Sequence, residues 1–163
     1  MSDSAVQDHY PDDVAHCYGC GRLNEEGLHI RTIWSAGVGT ARFSPRPYHV
    51  AIPGYVYGGL IASLVDCHAI GTAAAAVMER AGKRPGSDPA PRYVTGSLRV
   101  DYLKPTPLGP ELVLTARPED VGERKVRVSV EVEAAGELVA RGEVLAVRMP
   151  SSFVAGRAAG GAP

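Results

Sequence analysis

The sequence predicts an α+β domain in which one long central helix is wrapped by an antiparallel sheet of about six strands. Three observations carry this. A single apolar stretch, residues 58–81, is rich in Ala, Leu, Ile and Met and is too long for a strand, so it reads as helix. Short segments of strand composition flank it, two before and four after, separated by Gly- and Pro-containing breaks. Such a sheet must bury one face, and the helix is the only large apolar object available to it.

The elements follow in chain order. Residues 1–16 are polar and aperiodic and read as a flexible arm. Residues 28–34 and 38–43 read as two strands joined by a Gly-containing turn, and Pro45, Pro47 and Pro53 mark a rigid loop before the helix. Gly82, Pro85, Gly86, Pro89 and Pro91 mark an exposed loop after it. Residues 95–103 then form a strand ending at Lys104-Pro105-Thr106-Pro107, and residues 111–117 another ending near Pro118. Residues 126–134 alternate cleanly, with Val126, Val128, Val130 and Val132 on one face and Arg127, Ser129, Glu131 and Glu133 on the other. Residues 138–149 close the set after an Ala-Gly turn. The order is ββαββββ within a single domain over 17–150, and residues 151–163, rich in Ser, Ala and Gly, read as a disordered tail.

Bulk properties narrow the function classes. Apolar residues make up 45% and charged residues 21%, as in ordinary soluble domains. A net charge of −1 supplies no overall field for nucleic acid or an anionic membrane. The helix segment holds Asp66 and His68, which argues for a buried helix over a membrane span. No signal peptide is read, and three cysteines do not make a disulfide framework, so a cytoplasmic protein is expected. Cys17-x-x-Cys20 invites a zinc reading, but no second pair stands at ligand spacing and Cys67 lies deep in the helix. The pair is therefore read as a turn with small buried side chains, and no metal is expected.

Three ordered stretches carry a resemblance. They are Cys17-Tyr-Gly-Cys-Gly-Arg-Leu-Asn-Glu-Glu-Gly-Leu28, then Pro53-Gly-Tyr-Val-Tyr-Gly-Gly-Leu-Ile-Ala-Ser-Leu-Val-Asp66, and Val94-Thr-Gly-Ser-Leu-Arg-Val-Asp-Tyr-Leu-Lys-Pro-Thr-Pro-Leu-Gly109. Together with the element order they resemble the hotdog-fold thioesterases, in particular the PaaI-like branch acting on acyl- or aryl-coenzyme A. The resemblance implies a hotdog fold and Asp66, Gly58, Gly59 and Thr95 as catalytic positions. It implies Tyr57, Gly96, Ser97 and Lys104 beside the substrate, Lys104 because the strand exit near Pro105 resembles the segment lining the pantetheine channel. Coenzyme A enters as part of the substrate, with no separate cofactor. The chain departs from the family where His-Gly-Gly is usual and Tyr57-Gly58-Gly59 stands, and where an Asn of some relatives would fall near Ala51.

The chemistry needs a place for the negative charge that develops on the carbonyl oxygen, and a group that activates water or attacks directly. Backbone N–H groups at a helix start meet the first need, and glycines let a ligand approach them closely. Asp66 meets the second, as general base or as nucleophile. A continuous helix separates Gly58 from Asp66 by about 12 Å along its axis, so one thioester cannot touch both on one helix. If both act on one bond, the acid comes from a second copy across an isologous homodimer, with a dimer of dimers as a further possibility.

Structural readings stand beside these. The glycines could serve close packing, Asp66 could be a structural acid paired with His68 or a backbone donor, Thr95 could be a plain strand residue, and Tyr57 could pack at the dimer seam. Asp66 and His68 point about 200° apart on a helix, which argues against a catalytic pair. Arg92 and Arg99 join Lys104 as candidates for coenzyme A phosphates. The alternative function is a hotdog protein that binds acyl-CoA without efficient turnover. A hydratase or dehydratase would need a differently spaced Asp and His.

Overall fold

The computed structural model describes residues 4–154. Helix α1, Gly58–Arg80, is continuous, and six strands follow the expected order around it: β1 Ile33–Ser35, β2 Val38–Phe43, β3 Tyr93–Tyr102, β4 Leu112–Val121, β5 Lys125–Ala134 and β6 Glu137–Arg148. They form one antiparallel sheet in the spatial order β1-β2-β4-β5-β6-β3, the hotdog arrangement. Ala36-Gly37 and Ala135-Gly136, all at positive φ, form the two-residue links of the β1–β2 and β5–β6 hairpins. That backbone twist matches the twist of the flanking strands.

The core lies between the sheet and α1. Val126, Val128, Val130 and Val132 of β5 and Leu112, Leu114 and Ala116 of β4 are fully or almost fully buried, facing the helix residues Ile61, Leu64, Val65, Ala69 and Ala73. By length and composition α1 could cross a membrane, yet 78% of its most apolar window is buried inside the fold. Its open side is narrow. Gly58, Gly59, Ala62, Ser63 and Asp66 are the partly exposed positions of its first half, spaced along one stripe.

Three expectations are corrected. The described part of the segment read as a loose arm, from Ser4 on, is packed: Val6–His9 and Asp12–Val14 form two 3₁₀ turns, and Ala5, Val6, Tyr10 and Ala15 are buried, while residues 1–3 lie outside the described residues. Its apolar residues escape a periodicity search because no regular helix or strand spaces them. The first strand is short because the backbone of residues 28–32 is used elsewhere. Leu28 N–H donates to Tyr18 O, Ile30 N–H to Gly19 O and Thr32 N–H to the Gln7 side chain, while Thr32 O accepts from Val6 N–H. Strand β4 continues through Pro118 to Val121, because the register shifts between Pro118 and Asp120 and a bulge tolerates the missing donor. Of the tail, residues 155–163 lie outside the described residues.

Candidate active site

The site begins at the start of α1. Tyr57 is the N-cap residue, with extended backbone and no capping side chain, so the first helical amides are not closed off by their own cap. The N–H groups of Gly58 and Gly59 have no hydrogen-bond partner among the described residues, whereas Leu60 N–H already bonds Tyr57 O. Two tyrosines flank the glycines. A Cβ on Gly59 would lie 2.4 Å from Cε1 of Tyr57, so the Tyr57 ring lies back into the space a side chain would fill. The Tyr102 hydroxyl donates to Gly58 O at 2.7 Å and fixes the first turn from β3. Tyr102 escapes sequence reasoning, since nothing local links it to a glycine 44 residues earlier.

Asp66 lies two turns further on the same open stripe. The Thr95 hydroxyl donates to its Oδ1 at 2.5 Å. Burial pushes the Asp66 carboxyl above the usual carboxylate range, and the Thr95 hydrogen bond acts in the opposite direction. Thr95 is aimed there by a β-bulge: it pairs with Ala146 and Ser97 pairs with Leu145, leaving Gly96 as the extra residue. A Cβ at Gly96 would come within 2.9 Å of Val147 Cγ2, so the bulge suits glycine. Strand β3 is an edge of the sheet, and Thr95, Gly96, Ser97 and Leu98 are exposed along it.

His68 does not join Asp66. It is fully buried, with Nε2 donating to Gly39 O at 3.2 Å and Nδ1 accepting from the Thr32 hydroxyl at 2.9 Å. Gly39 O can only accept, which assigns the ring proton to Nε2. Gln7 completes the network by donating to Thr32 Oγ1 at 3.0 Å and accepting from Thr32 N–H at 2.8 Å. Burial drives the His68 pKa down to about 4, so the ring is neutral and structural.

The basic candidates separate. Lys104 is exposed and pairs with Glu137 at 3.3 Å, a surface contact worth about 0–1 kcal/mol and therefore easily exchanged for a phosphate. Arg99 pairs with Asp101 at 3.2 Å on the outer surface. Arg92 is half-buried with its guanidinium 4.7 Å above the Tyr10 ring. Cavities of about 420 and 570 Å³ lie against the outer sheet face and beside the loop before α1, and neither is lined by Gly58, Gly59, Asp66 or Thr95.

The arrangement places a helix start with open amides and a partly buried acid on one stripe beside an edge strand. The sequence profile of the thioesterase superfamily matches residues 53–141, the stretch that holds all of these positions. This chain belongs to the thioesterase superfamily. Among solved structures, a thioesterase superfamily protein from Shewanella loihica is 44% identical with a TM-score of 0.65, covering 83% of this chain and 95% of that one. The PaaI protein of the E. coli phenylacetic acid degradation operon is 18% identical with a TM-score of 0.61, covering 76% and 81%, and shares the fold. Acyl-coenzyme A thioesterase THEM4 of Xenopus laevis is 33% identical over 92 residues, 56% of this chain. This thioesterase-superfamily chain spans 36% of that relative's length.

Proposed function

We propose that this chain hydrolyses the thioester bond of acyl- or aryl-coenzyme A, with Asp66 as general base or nucleophile and the Gly58 and Gly59 amides receiving the carbonyl oxygen. The observation that carries the reading is the Thr95–Asp66 hydrogen bond on the open stripe of α1: a partly buried acid oriented by a hydroxyl. In the base route Asp66 takes a proton from water as the water oxygen attacks the thioester carbon. The negative charge on the carbonyl oxygen is held by the glycine amides, and the coenzyme A sulfur departs and takes up a proton.

The reading includes a homodimer. The continuity of α1 keeps Gly58 and Asp66 about 12 Å apart within one chain, so a second helix running antiparallel brings the partner's acid to these glycines. Support comes from the exposed apolar residues, which concentrate in two segments beside the site: Tyr48, Val50, Ile52, Tyr55 and Tyr57 before the helix, and Leu98, Tyr102 and Leu103 on β3 and at its exit. Tyr57, Gly96, Ser97 and Lys104 line the substrate path in this reading, Lys104 exchanging Glu137 for a phosphate. A dimer of dimers, a cytoplasmic setting and the absence of any cofactor beyond the coenzyme A of the substrate complete it.

A second reading, acyl-CoA binding without efficient turnover, is favoured by one observation: the Tyr57 ring leans over Gly59, where relatives resembling this chain carry a His. A hydrolysis screen over short, long and aromatic coenzyme A esters, with Asp66→Asn as the blank, separates the two. Turnover lost in Asp66→Asn supports the enzyme. Tight binding with no turnover on any ester selects the binding protein, and turnover unchanged in Asp66→Asn rejects the assigned acid.

A further inference from the structure

The fold brings together three cysteines that the sequence holds far apart. Cys17 and Cys20 sit in the loop before β1, and Cys67 follows Asp66 on α1. Their Sγ atoms all lie within 4.8 Å of one another, and Cys17 Sγ is 3.8 Å from Cys67 Sγ. Cys20 and Cys67 are buried, while Cys17 is partly exposed and leaves a route from solvent. Gly19 makes the approach possible, since a Cβ there would fall 2.2 Å from Cys67 Sγ. The loop is therefore shaped around the sulfur.

We propose that Cys17, Cys20 and Cys67 bind a thiophilic divalent cation of the zinc type. Thiolates at the usual zinc–sulfur distance of about 2.3 Å stand about 3.8 Å apart at tetrahedral angles, which is the Cys17–Cys67 separation. The widest edge needs to contract by only about 1 Å. A set of three sulfurs selects soft or borderline ions over magnesium or calcium.

The local charge suits bound thiolates. The guanidinium of Arg92 lies over the Tyr10 ring and is close enough to all three cysteines to interact with them electrostatically. Its buried Nη1 has no hydrogen-bond partner, and no carboxylate forms an ion pair with it among the described residues. Asp66 lies within electrostatic range of this half-buried cation but makes no ion pair with it. Three thiolates with a divalent ion carry one net negative charge, which the Arg92 guanidinium offsets. The Tyr10 ring lies under Arg92, and its buried hydroxyl makes no hydrogen bond among the described residues, so it is free to donate as a second polar group of this pocket. As the ion binds, each S–H bond breaks, a metal–sulfur bond forms and three protons leave.

The site adjoins Asp66 through Cys67 and is tested without measuring activity. The full-length protein, fully reduced and treated with a chelator, is titrated with Co²⁺ under anaerobic conditions and then with Zn²⁺. One Co²⁺ per chain is expected, with thiolate charge-transfer and tetrahedral ligand-field absorption, displaced by Zn²⁺. The signal should be lost in Cys67→Ser and in Cys17→Ser, with circular dichroism verifying that each variant is folded. Absence of thiolate-bound Co²⁺ in the wild type overturns the proposal, whether the three thiols then stay free or two of them close into a disulfide on exposure to air. A cobalt signal undiminished in the folded Cys67→Ser variant also overturns it, because the ion would then sit elsewhere.

Discussion

The Thr95 hydroxyl stands 2.5 Å from Oδ1 of Asp66, joining the edge strand β3 to the open stripe of α1. Because a hydroxyl donor stabilises a carboxylate, Thr95 restrains a carboxyl that burial drives upward. Thr95→Val should lower kcat/KM by about tenfold, the scale of one hydrogen bond to a charged group. It should also move the acid limb of the pH profile to higher pH, while Thr95→Ser should restore both. An unmoved acid limb in Thr95→Val would separate Thr95 from the titrating group.

Removing the acid should separate function from stability. Asp66→Asn is expected to lose at least about a hundredfold in turnover. The folded-state pKa of Asp66 lies above its unfolded value, so the stability tied to this group is full below the unfolded pKa and is lost as pH rises through the folded one. At neutral pH, where the ionised Asp66 is a liability, Asp66→Asn should melt higher than the wild type, and the gain should shrink toward acid pH. Thermal melts across pH check it; a variant less stable at neutral pH would mean that the carboxylate holds a structural partner.

Subunit mixing tests the shared site directly. Asp66→Asn supplies intact glycines and a Gly59→Val chain supplies an intact acid, so a mixed dimer has one complete site out of two. Random reassortment of equal amounts should recover about a quarter of wild-type activity from two inactive parents. No recovery, with exchange verified by mass, would count against a site built from two chains.

Tyr57→Phe should keep most activity. The Tyr57 hydroxyl has no hydrogen-bond partner among the described residues, and the ring itself fills the space over Gly59. Steady-state kinetics on the best ester of the screen decide this. A loss comparable with that of Asp66→Asn would make the hydroxyl part of the chemistry.

His68 predicts an acid-sensitive fold. Its pKa is lowered from 6.5 to about 4, so between those values the unfolded chain binds a proton that the folded one refuses. Stability should therefore fall as pH drops through that window. Urea midpoints measured against pH check it, and His68→Gln should flatten the slope there even if it is less stable overall.

Much of the architecture was legible in the chain because its signals are local. The Ala- and Leu-rich run could only be one buried helix, the alternating valines of β5 announced a sheet with one face covered, and the Ala-Gly pairs marked two hairpins. The spacing of Gly58 and Asp66 was equally readable, since helix geometry converts residue number directly into distance. What escaped depended on contacts with no local trace. The packing of Val6 and Tyr10, the diversion of the residue 28–32 backbone to Gln7 and the loop, and the reach of Tyr102 to Gly58 are all long-range pairings. By itself, then, the sequence determined the ββαββββ order, the central helix and the candidate acid, because composition and periodicity act on neighbours along the chain. Only the tertiary structure decided that Thr95 holds Asp66, that His68 is locked in a neutral buried network, and that Cys67 meets Cys17 and Cys20, because each requires two distant segments to be folded onto one side of the same helix.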